Sequence, residues 1–153
     1  MKIRNAHSKY GKPLTEQETT YFLTNGRLNI HLGTLDEKGE PNIHPAWYYF
    51  APSKDRLYVG TCKNSKIARN LRKIGTVFFC IDDPNPPYKG VRGKATVSIH
   101  EDINFNLPIF ENIASRYLEG SEKNNYLTNM QKDYIILEIM PKVYSTWDDS
   151  KLS

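Results

Sequence analysis

The sequence lacks several features by which function is often recognised. Its two cysteines, Cys62 and Cys80, are too few and too unpatterned for a disulfide framework or a zinc site. No apolar run approaches the length of a membrane span, and the opening MKIRNAHSKYGKP has no apolar core for a signal peptide. No catalytic triad, carboxylate pair or metal-ligand cluster is visible. These absences predict a cytoplasmic protein with reduced thiols, no membrane association and no metal site.

Length and charge narrow the class further. The 153 residues fit one domain, for which we expect a flexible basic arm over residues 1–13 and a single folded domain over residues 14–153. The 21 basic residues barely outnumber the 17 acidic ones, but seven of them lie between Lys54 and Lys73 against the single acid Asp55. Such a cluster suits a small anionic ligand or a polyanion, and equally a solvated surface.

Short alternating runs predict most of the secondary structure. RLNIHLGTL and NIHPAWYYF read as a hairpin around the polar turn DEKGEP, and RLYVGT, TVFFCI, VRGKATVSI and DYIILEIMPKVYSTW supply further strands. Helices are predicted for PLTEQETTYFLTNGR, with Thr15 and Glu18 as a capping box, for the basic segment at 65–73, and after Pro108. Six antiparallel strands with a few short helices predict a mainly β fold, a small barrel.

The basic segment SKIARNLRK raises the question of a phosphate site. Ser65 is placed to cap the helix, where its hydroxyl and the free first-turn amides would form an anion seat beside Lys66 and Thr61. On a helical wheel Ile67, Leu71 and Ile74 face the barrel. The polar side is predicted to carry Lys66, Arg69, Asn70 and Lys73. The alternative is an ordinary solvated basic helix.

Four stretches, taken in order, resemble one known family. LTEQETTYFLTNGRLNIHLGTLDEKGEPNIHPAWYYF, RLYVGTCKNSKIARNLRK, DDPNPPYKGVRGKA and ASRYLEG are similar to the pyridoxamine 5′-phosphate oxidase-like flavin-binding split-barrel family over roughly residues 14–120. Within that family the chain looks most like the small single-domain flavin- or deazaflavin-dependent oxidoreductases. The resemblance implies a six-stranded split barrel that pairs as a homodimer, with two cofactor sites at the subunit interface.

The resemblance also implies a set of cofactor-binding residues. One stretch would touch the flavin ring and ribityl chain, a second would bind the phosphate, and a third would approach from the other subunit. Ile67 stands where the family commonly has a second basic residue in the phosphate-binding turn. In that order, the implied residues are His44, Pro45, Ala46, Trp47; Gly60, Thr61, Ser65, Lys66, Asn70; and Tyr88, Arg92.

The implied function is hydride transfer between FMN and an unidentified small molecule. No catalytic residue is assigned, because in a flavin enzyme the cofactor carries the redox step; backbone amides near residues 45–48 and His44 would assist the ring. The chain lacks the arginine-rich C-terminal motif of the vitamin B6 oxidases, so pyridoxine phosphate oxidation is not expected. The alternatives are use of the deazaflavin coenzyme F420, a non-catalytic flavin carrier or sensor, and a nucleic-acid-binding barrel whose Trp47, Tyr48 and Tyr58 would stack on bases.

Overall fold

The computed structural model describes residues 1–130 and 133–152, and within them a mainly β protein. This part of the chain forms nine strands and four α-helices. In chain order these are β1 (Ile3–Asn5), α1 (Glu16–Thr24), β2 (Ile30–Leu35), β3 (Pro41–Ala46), β4 (Tyr49–Ala51), β5 (Arg56–Cys62), α2 (Lys66–Lys73), β6 (Thr76–Asp83), β7 (Lys89–His100), α3 (Ile103–Tyr117), α4 (Gly120–Asn129), β8 (Tyr134–Pro141) and β9 (Tyr144–Asp148), followed by a 3₁₀ turn over Asp149–Lys151.

The strands form one curled sheet in the order β3-β2-β6-β7-β8-β5-β4, with β9 joined to β7. Neighbours along this path are antiparallel, which confirms the predicted fold class. The strand count differs from the predicted six because the run at 42–50 is interrupted at Trp47–Tyr48, and the run at 133–147 is divided into β8 and β9. The third additional strand is β1.

The first 13 residues contain that strand rather than a wholly loose arm. Ile3–Asn5 pairs in parallel with Tyr144–Thr146 of β9, and Met1 and Ile3 pack against the core. Three residues of sequence IRN carry no periodicity, so the pairing is set by β9 and not by local pattern.

Two apolar clusters lie on opposite faces of the sheet. The interior of the curl holds buried residues such as Leu32, Leu57 and Ile81, each worth about 1.5–3 kcal/mol when removed from water. The second cluster lies between β5, β8 and α3, where Phe110 and Ile113 pack on Tyr58. Helix α3 therefore covers this outer side of the sheet, whereas α2, whose Ile67, Ala68 and Leu71 belong to the interior cluster, packs on the inner side.

The helix caps follow the sequence closely. Thr15 and Glu18 form the predicted capping box of α1. Helix α3 begins earlier than predicted, at Ile103, because Asp102 accepts a hydrogen bond from the Asn104 amide; Pro108 lies inside it. None of the described helices is long and apolar enough to cross a membrane.

Candidate functional site

The start of α2 has the geometry of an anion seat. Ser65 caps the helix by accepting a hydrogen bond from the Ala68 amide at 3.2 Å, and its hydroxyl also receives one from Thr61 Oγ1 at 2.9 Å. The amides of Lys66 and Ile67, as the first two of the helix, have no acceptor within it. The predicted arrangement of cap, adjoining hydroxyl and lysine is therefore present.

A polar chain connects this helix to the β2–β3 hairpin. Asn70 Nδ2 donates to Thr34 Oγ1 at 3.0 Å, and Thr34 Oγ1 lies 3.1 Å from His44 Nε2. In the tautomer in which the Thr34 hydroxyl donates to Nε2, the neutral His44 ring carries its proton on Nδ1. Partial burial, with the nearby positive charge of Lys66, lowers the pKa of His44, so the ring is neutral at physiological pH.

Strand alternation explains why these side chains meet. Thr34 follows the buried Ile30 and Leu32 at intervals of two, so all three point into the curl. His44 lies opposite Leu32 in the antiparallel register and shares that face. Thr34 was not predicted as a site residue, although this period of two places it inward.

Asn70 lies on the buried face of α2 and not on the polar side predicted for it. It is only 6% exposed and lies between the buried Ile67 and Leu71. Its spacing of three from Ile67 is a core spacing, which the wheel places at the border of the two faces. Conversely Ile74, predicted to face the barrel, is 42% exposed at the C-cap.

The positive charges of α2 are of two kinds. Arg72 pairs with Glu101 at 3.2 Å and Lys73 with Glu37 at 3.1 Å, as a solvated basic helix would. Lys66 and Arg69 form no ion pair within residues 1–130 and 133–152. They line a cavity of about 410 Å³ between α2 and the β2–β3 turn, together with Asp36, Glu37, Lys38, Glu40, Asn70 and Lys73.

Gly60 and Thr61 face opposite sides of β5. A Cβ on Gly60 would lie 2.5 Å from Phe110 Cε1, so this glycine makes room for α3. Thr61 instead hydrogen-bonds to Ser65. Of this predicted pair, the threonine side chain alone belongs to the anion seat.

Trp47 lies in an aromatic stack under α3 and α4. Its ring is parallel to that of Tyr117 at 4.8 Å and tilted against Tyr126 at 5.7 Å. The Tyr48 amide donates to Tyr117 Oη, so it is already engaged, and Pro45 has no amide hydrogen. Pro45 and Tyr48 therefore drop out of the predicted amide donors near residues 45–48, and Ala46 is paired with Ile30 of β2.

Two of the remaining predicted residues, Pro45 and Arg92, lie on the outer face of the sheet, whereas Ala46 packs against the interior cluster. Pro45 is opposite His31, and Arg92 is in register with Cys80 and Ser145. The same face exposes Ile43 by 75% and Phe78 by 58%. Tyr88, half exposed, precedes β7. Within one chain Arg92 and Pro45 are therefore on the opposite side of the sheet from the His44 side chain.

Three further features of the described residues concern function: the aromatic rings proposed to stack on bases, a polar cluster away from the anion seat, and the grouping of metal-ligating side chains. Tyr48 and Tyr58 are buried, so their rings are not available to stack on bases, and the partly buried Trp47 is already stacked on Tyr117. A separate cluster on β5, β7 and β8 joins the Tyr58 hydroxyl to Glu138 at 3.0 Å, with His100 Nε2 at 3.6 Å from the same carboxylate. Among the described residues, no three His, Cys, Asp or Glu side chains are grouped to hold a metal ion.

Comparison with known proteins identifies a family and several structural relatives. The family model described as "Pyridoxamine 5'-phosphate oxidase" matches residues 16–148. None of the curated proteins matches this sequence. Solved structures do match, and their low identities make the likeness one of fold.

Three such structures are representative. A conserved hypothetical protein from Mycobacterium tuberculosis has 20% identity and a TM-score of 0.81, over 97% of this chain and 91% of that one. An F420 reductase has 21% identity and a TM-score of 0.60, over 82% and 94%. The heme storage protein HutZ from Vibrio cholerae has 18% identity and a TM-score of 0.67, over 87% and 93%.

Proposed function

This chain belongs to the pyridoxamine 5′-phosphate oxidase family, and we propose that it is an FMN-binding oxidoreductase that acts on a small molecule. The observation that carries the proposal is the junction of α2 with the β2–β3 hairpin. There a capped helix N-terminus and the Asn70–Thr34–His44 chain lie beside Lys66, which has no ion pair within the described residues.

The junction suits a phosphate in charge and in donors. The open amides of Lys66 and Ile67 and the dipole of α2 favour an anion, and Lys66 adds a full positive charge. The family's second basic position is here Ile67, which is 6% exposed and packs in the core. Its side chain therefore has no part in phosphate binding. The second cation available is Arg69, three residues after Lys66, which has no carboxylate partner in the described residues and donates from Nη1 to the Asn64 carbonyl at 2.7 Å.

From this seat the cofactor would extend along β3. The four residue steps from Asn42 to Ala46 span about 14 Å, enough for the ribityl chain and ring of FMN. β3 is the edge strand of the sheet, and its two prolines, Pro41 and Pro45, are of the kind that edge strands tolerate. When bound, FMN would supply the hydride-transfer chemistry; His44 would offer its Nδ1 proton as a hydrogen-bond donor.

We further propose that two copies pair through the outer face of the β3-β2-β6-β7 sheet. Ile43, Phe78 and Leu35, exposed by 75%, 58% and 43%, form an apolar patch there that one subunit leaves in water. Arg92 lies on the same face and would reach the cofactor of the partner subunit, in keeping with the resemblance. In such a dimer, predicted site residues on opposite faces of one subunit's sheet, such as His44 and Arg92, would contribute to the cofactor sites of different subunits.

The pairing is tested by analytical ultracentrifugation across a wide concentration range. Wild type should sediment as a dimer, and Phe78→Lys should sediment as a monomer, because it places a charge in the centre of the patch. The matched control is Tyr21→Lys, which changes an aromatic side chain of similar exposure on another surface. A wild-type protein that is monomeric throughout would contradict the interface.

F420 is the second candidate cofactor, favoured by the fold shared with an F420 reductase. Both coenzymes are phosphorylated, so the anion seat alone does not separate them. Parallel titrations of FMN and F420, followed by absorbance and fluorescence, distinguish the two. A non-catalytic carrier would bind one of them yet fail to reoxidise it in anaerobic mixing with a panel of acceptors.

A further inference from the structure

A second and larger cavity lies away from the anion seat. Helix α1 and the segment that follows it form one wall, and the loop between β6 and β7 forms the other. The volume is about 800 Å³, within the range of small-molecule sites. We call this cavity the α1 groove. Its apolar lining comes mainly from Leu14, Tyr21, Phe22, Leu28, Pro86 and Pro87.

The charges that line the α1 groove are mostly neutralised within the protein. Lys151 Nζ donates to both carboxylate oxygens of Glu18, at 2.7 Å to Oε1 and 2.6 Å to Oε2. Lys89 Nζ lies 3.3 Å from Asp148 Oδ2. Arg27, at the rim, lies 3.4 Å from Glu119. Among the described charged residues of the lining, Asp83 alone has no ionic partner.

Two carboxylates of the groove, those of Glu18 and Asp148, have a lowered pKa. The hydrogen bond from Lys151, with that from the Thr15 amide, lowers the pKa of Glu18. Burial opposes ionisation of Asp148, but hydrogen bonds from Ser150 and Lys89 still leave its pKa lowered. Among the described lining residues, the cations Arg27 and Lys89 already have carboxylate partners and Asp83 has no ionic partner, so an incoming anion gains little there. A neutral ring would instead meet tyrosine, phenylalanine and proline surfaces.

The α1 groove adjoins the end of β3 at which the flavin ring is proposed to lie. Tyr117 Oη donates to the carbonyl of Leu28, a groove residue, at 2.7 Å, and it accepts from the Tyr48 amide. The Tyr117 ring also stacks on Trp47. One side chain thus joins the groove wall to the segment that follows β3.

We propose that the α1 groove is the substrate site and that it selects neutral, flat, largely apolar ring compounds over anionic ones. That the ligand is a substrate rests on the proposed function, whereas the binding preference of the groove can be measured without the cofactor. It also separates the protein from enzymes of phosphorylated substrates, which need free cations at the substrate site.

The test uses two ring compounds of the same shape and different charge, 2-naphthamide and 2-naphthoate. Isothermal calorimetry is run on cofactor-free and FMN-loaded protein, with three variants. Tyr21→Ala removes an aromatic wall of the groove. Tyr10→Ala is the matched control, since Tyr10 is 70% exposed against 69% for Tyr21 but lies outside the groove. Lys66→Ala changes the anion seat.

We expect wild type to bind the amide about tenfold more tightly than the carboxylate, a difference of about 1.4 kcal/mol. Tyr21→Ala should lose about fivefold in amide affinity, while Tyr10→Ala keeps the wild-type value. In the cofactor-free protein Lys66→Ala should also bind the amide as wild type does. Equal affinities for the two probes, no amide binding, or equal losses in the two tyrosine variants would overturn the proposal. So would a change of oligomeric state in Tyr21→Ala, because the groove would then be an interface between copies.

The outcomes separate this inference from the proposed function. Amide binding that depends on Tyr21, in a protein that binds neither FMN nor F420, would support the ligand site in the α1 groove and contradict the proposed flavin. FMN binding without amide binding would support the proposed flavin and contradict the ligand site in the groove.

Discussion

Replacement of Lys66 by alanine is the most informative single change at the anion seat. Lys66 is adjacent to the Ser65 cap and has no ion-pair partner in the described residues, so its charge is free for a ligand phosphate. A charge-assisted hydrogen bond contributes about 1.5–3 kcal/mol. Because Lys66 is exposed, we take the lower part of that range, about 1.5–2 kcal/mol, which is roughly 10- to 30-fold in Kd.

The assay compares FMN with riboflavin, which lacks the phosphate. Flavin fluorescence quenching at fixed ionic strength gives the Kd of each ligand for wild type and Lys66→Ala. The variant should weaken FMN binding by the stated factor and leave riboflavin binding unchanged. Added salt should reduce the difference in FMN affinity between wild type and Lys66→Ala, since the screening length is about 8 Å at physiological ionic strength.

Two lysines serve as controls of equal charge. Lys73 lies on the same helix but already pairs with Glu37 at 3.1 Å. Lys54 lies in the turn before β5, outside the site. Alanine at either position should cost little FMN affinity. Equal losses for Lys66→Ala, Lys73→Ala and Lys54→Ala would mean that the basic segment acts as a diffuse charge, and the phosphate seat would be refuted.

Three further predictions concern stability, each measured by urea unfolding. Asn70→Ala, which leaves Thr34 without its buried donor, should lower the unfolding free energy by about 1–3 kcal/mol, whereas Asn64→Ala at an exposed position should not. Gly60→Ala should cost about 1–3 kcal/mol because its Cβ meets the buried Phe110, whereas Gly33→Ala, whose nearest neighbour would be 3.6 Å away, should be tolerated; equal effects would contradict the packing. Burial and Lys66 lower the pKa of His44, so as pH falls the unfolded chain binds the proton before the folded one does. The free energy of unfolding should therefore fall as pH drops below about 6.5 towards the lower folded-state pKa. His44→Gln should flatten that part of the stability profile, and an unchanged slope would contradict the prediction.

Local signals account for what the sequence predicted well. The caps at Thr15 and Ser65 depend on residues three positions apart, and both have the expected hydrogen bonds. The β2–β3 hairpin depends on a polar turn in which Gly39 takes a φ of 75°. Such features are fixed by neighbours in the chain and can be predicted without knowledge of the fold.

The rest depended on contacts between distant segments. Asn70 is buried because Thr34, 36 positions earlier, offers it a partner. In the sequence Gly60 resembles part of a phosphate-binding loop, but it is a glycine because the ring of Phe110 leaves no room for a Cβ at this position. The opposite faces of His44 and Arg92 follow from the sheet order, which no single strand encodes. Helix α4 has no buried residue, and its apolar side chains that pack on the outer cluster, Tyr126 and Leu127, are confined to its last turn, which is too little to predict a helix.

The most direct test of the central claim is the visible absorption spectrum of the purified protein, with mass analysis of what heat releases and titration of FMN into any cofactor-free fraction. The account predicts a flavin spectrum, or saturable FMN binding, that Lys66→Ala weakens and Lys73→Ala does not. A colourless protein that binds neither FMN nor F420 would contradict it, and α2 would then be an ordinary solvated basic helix.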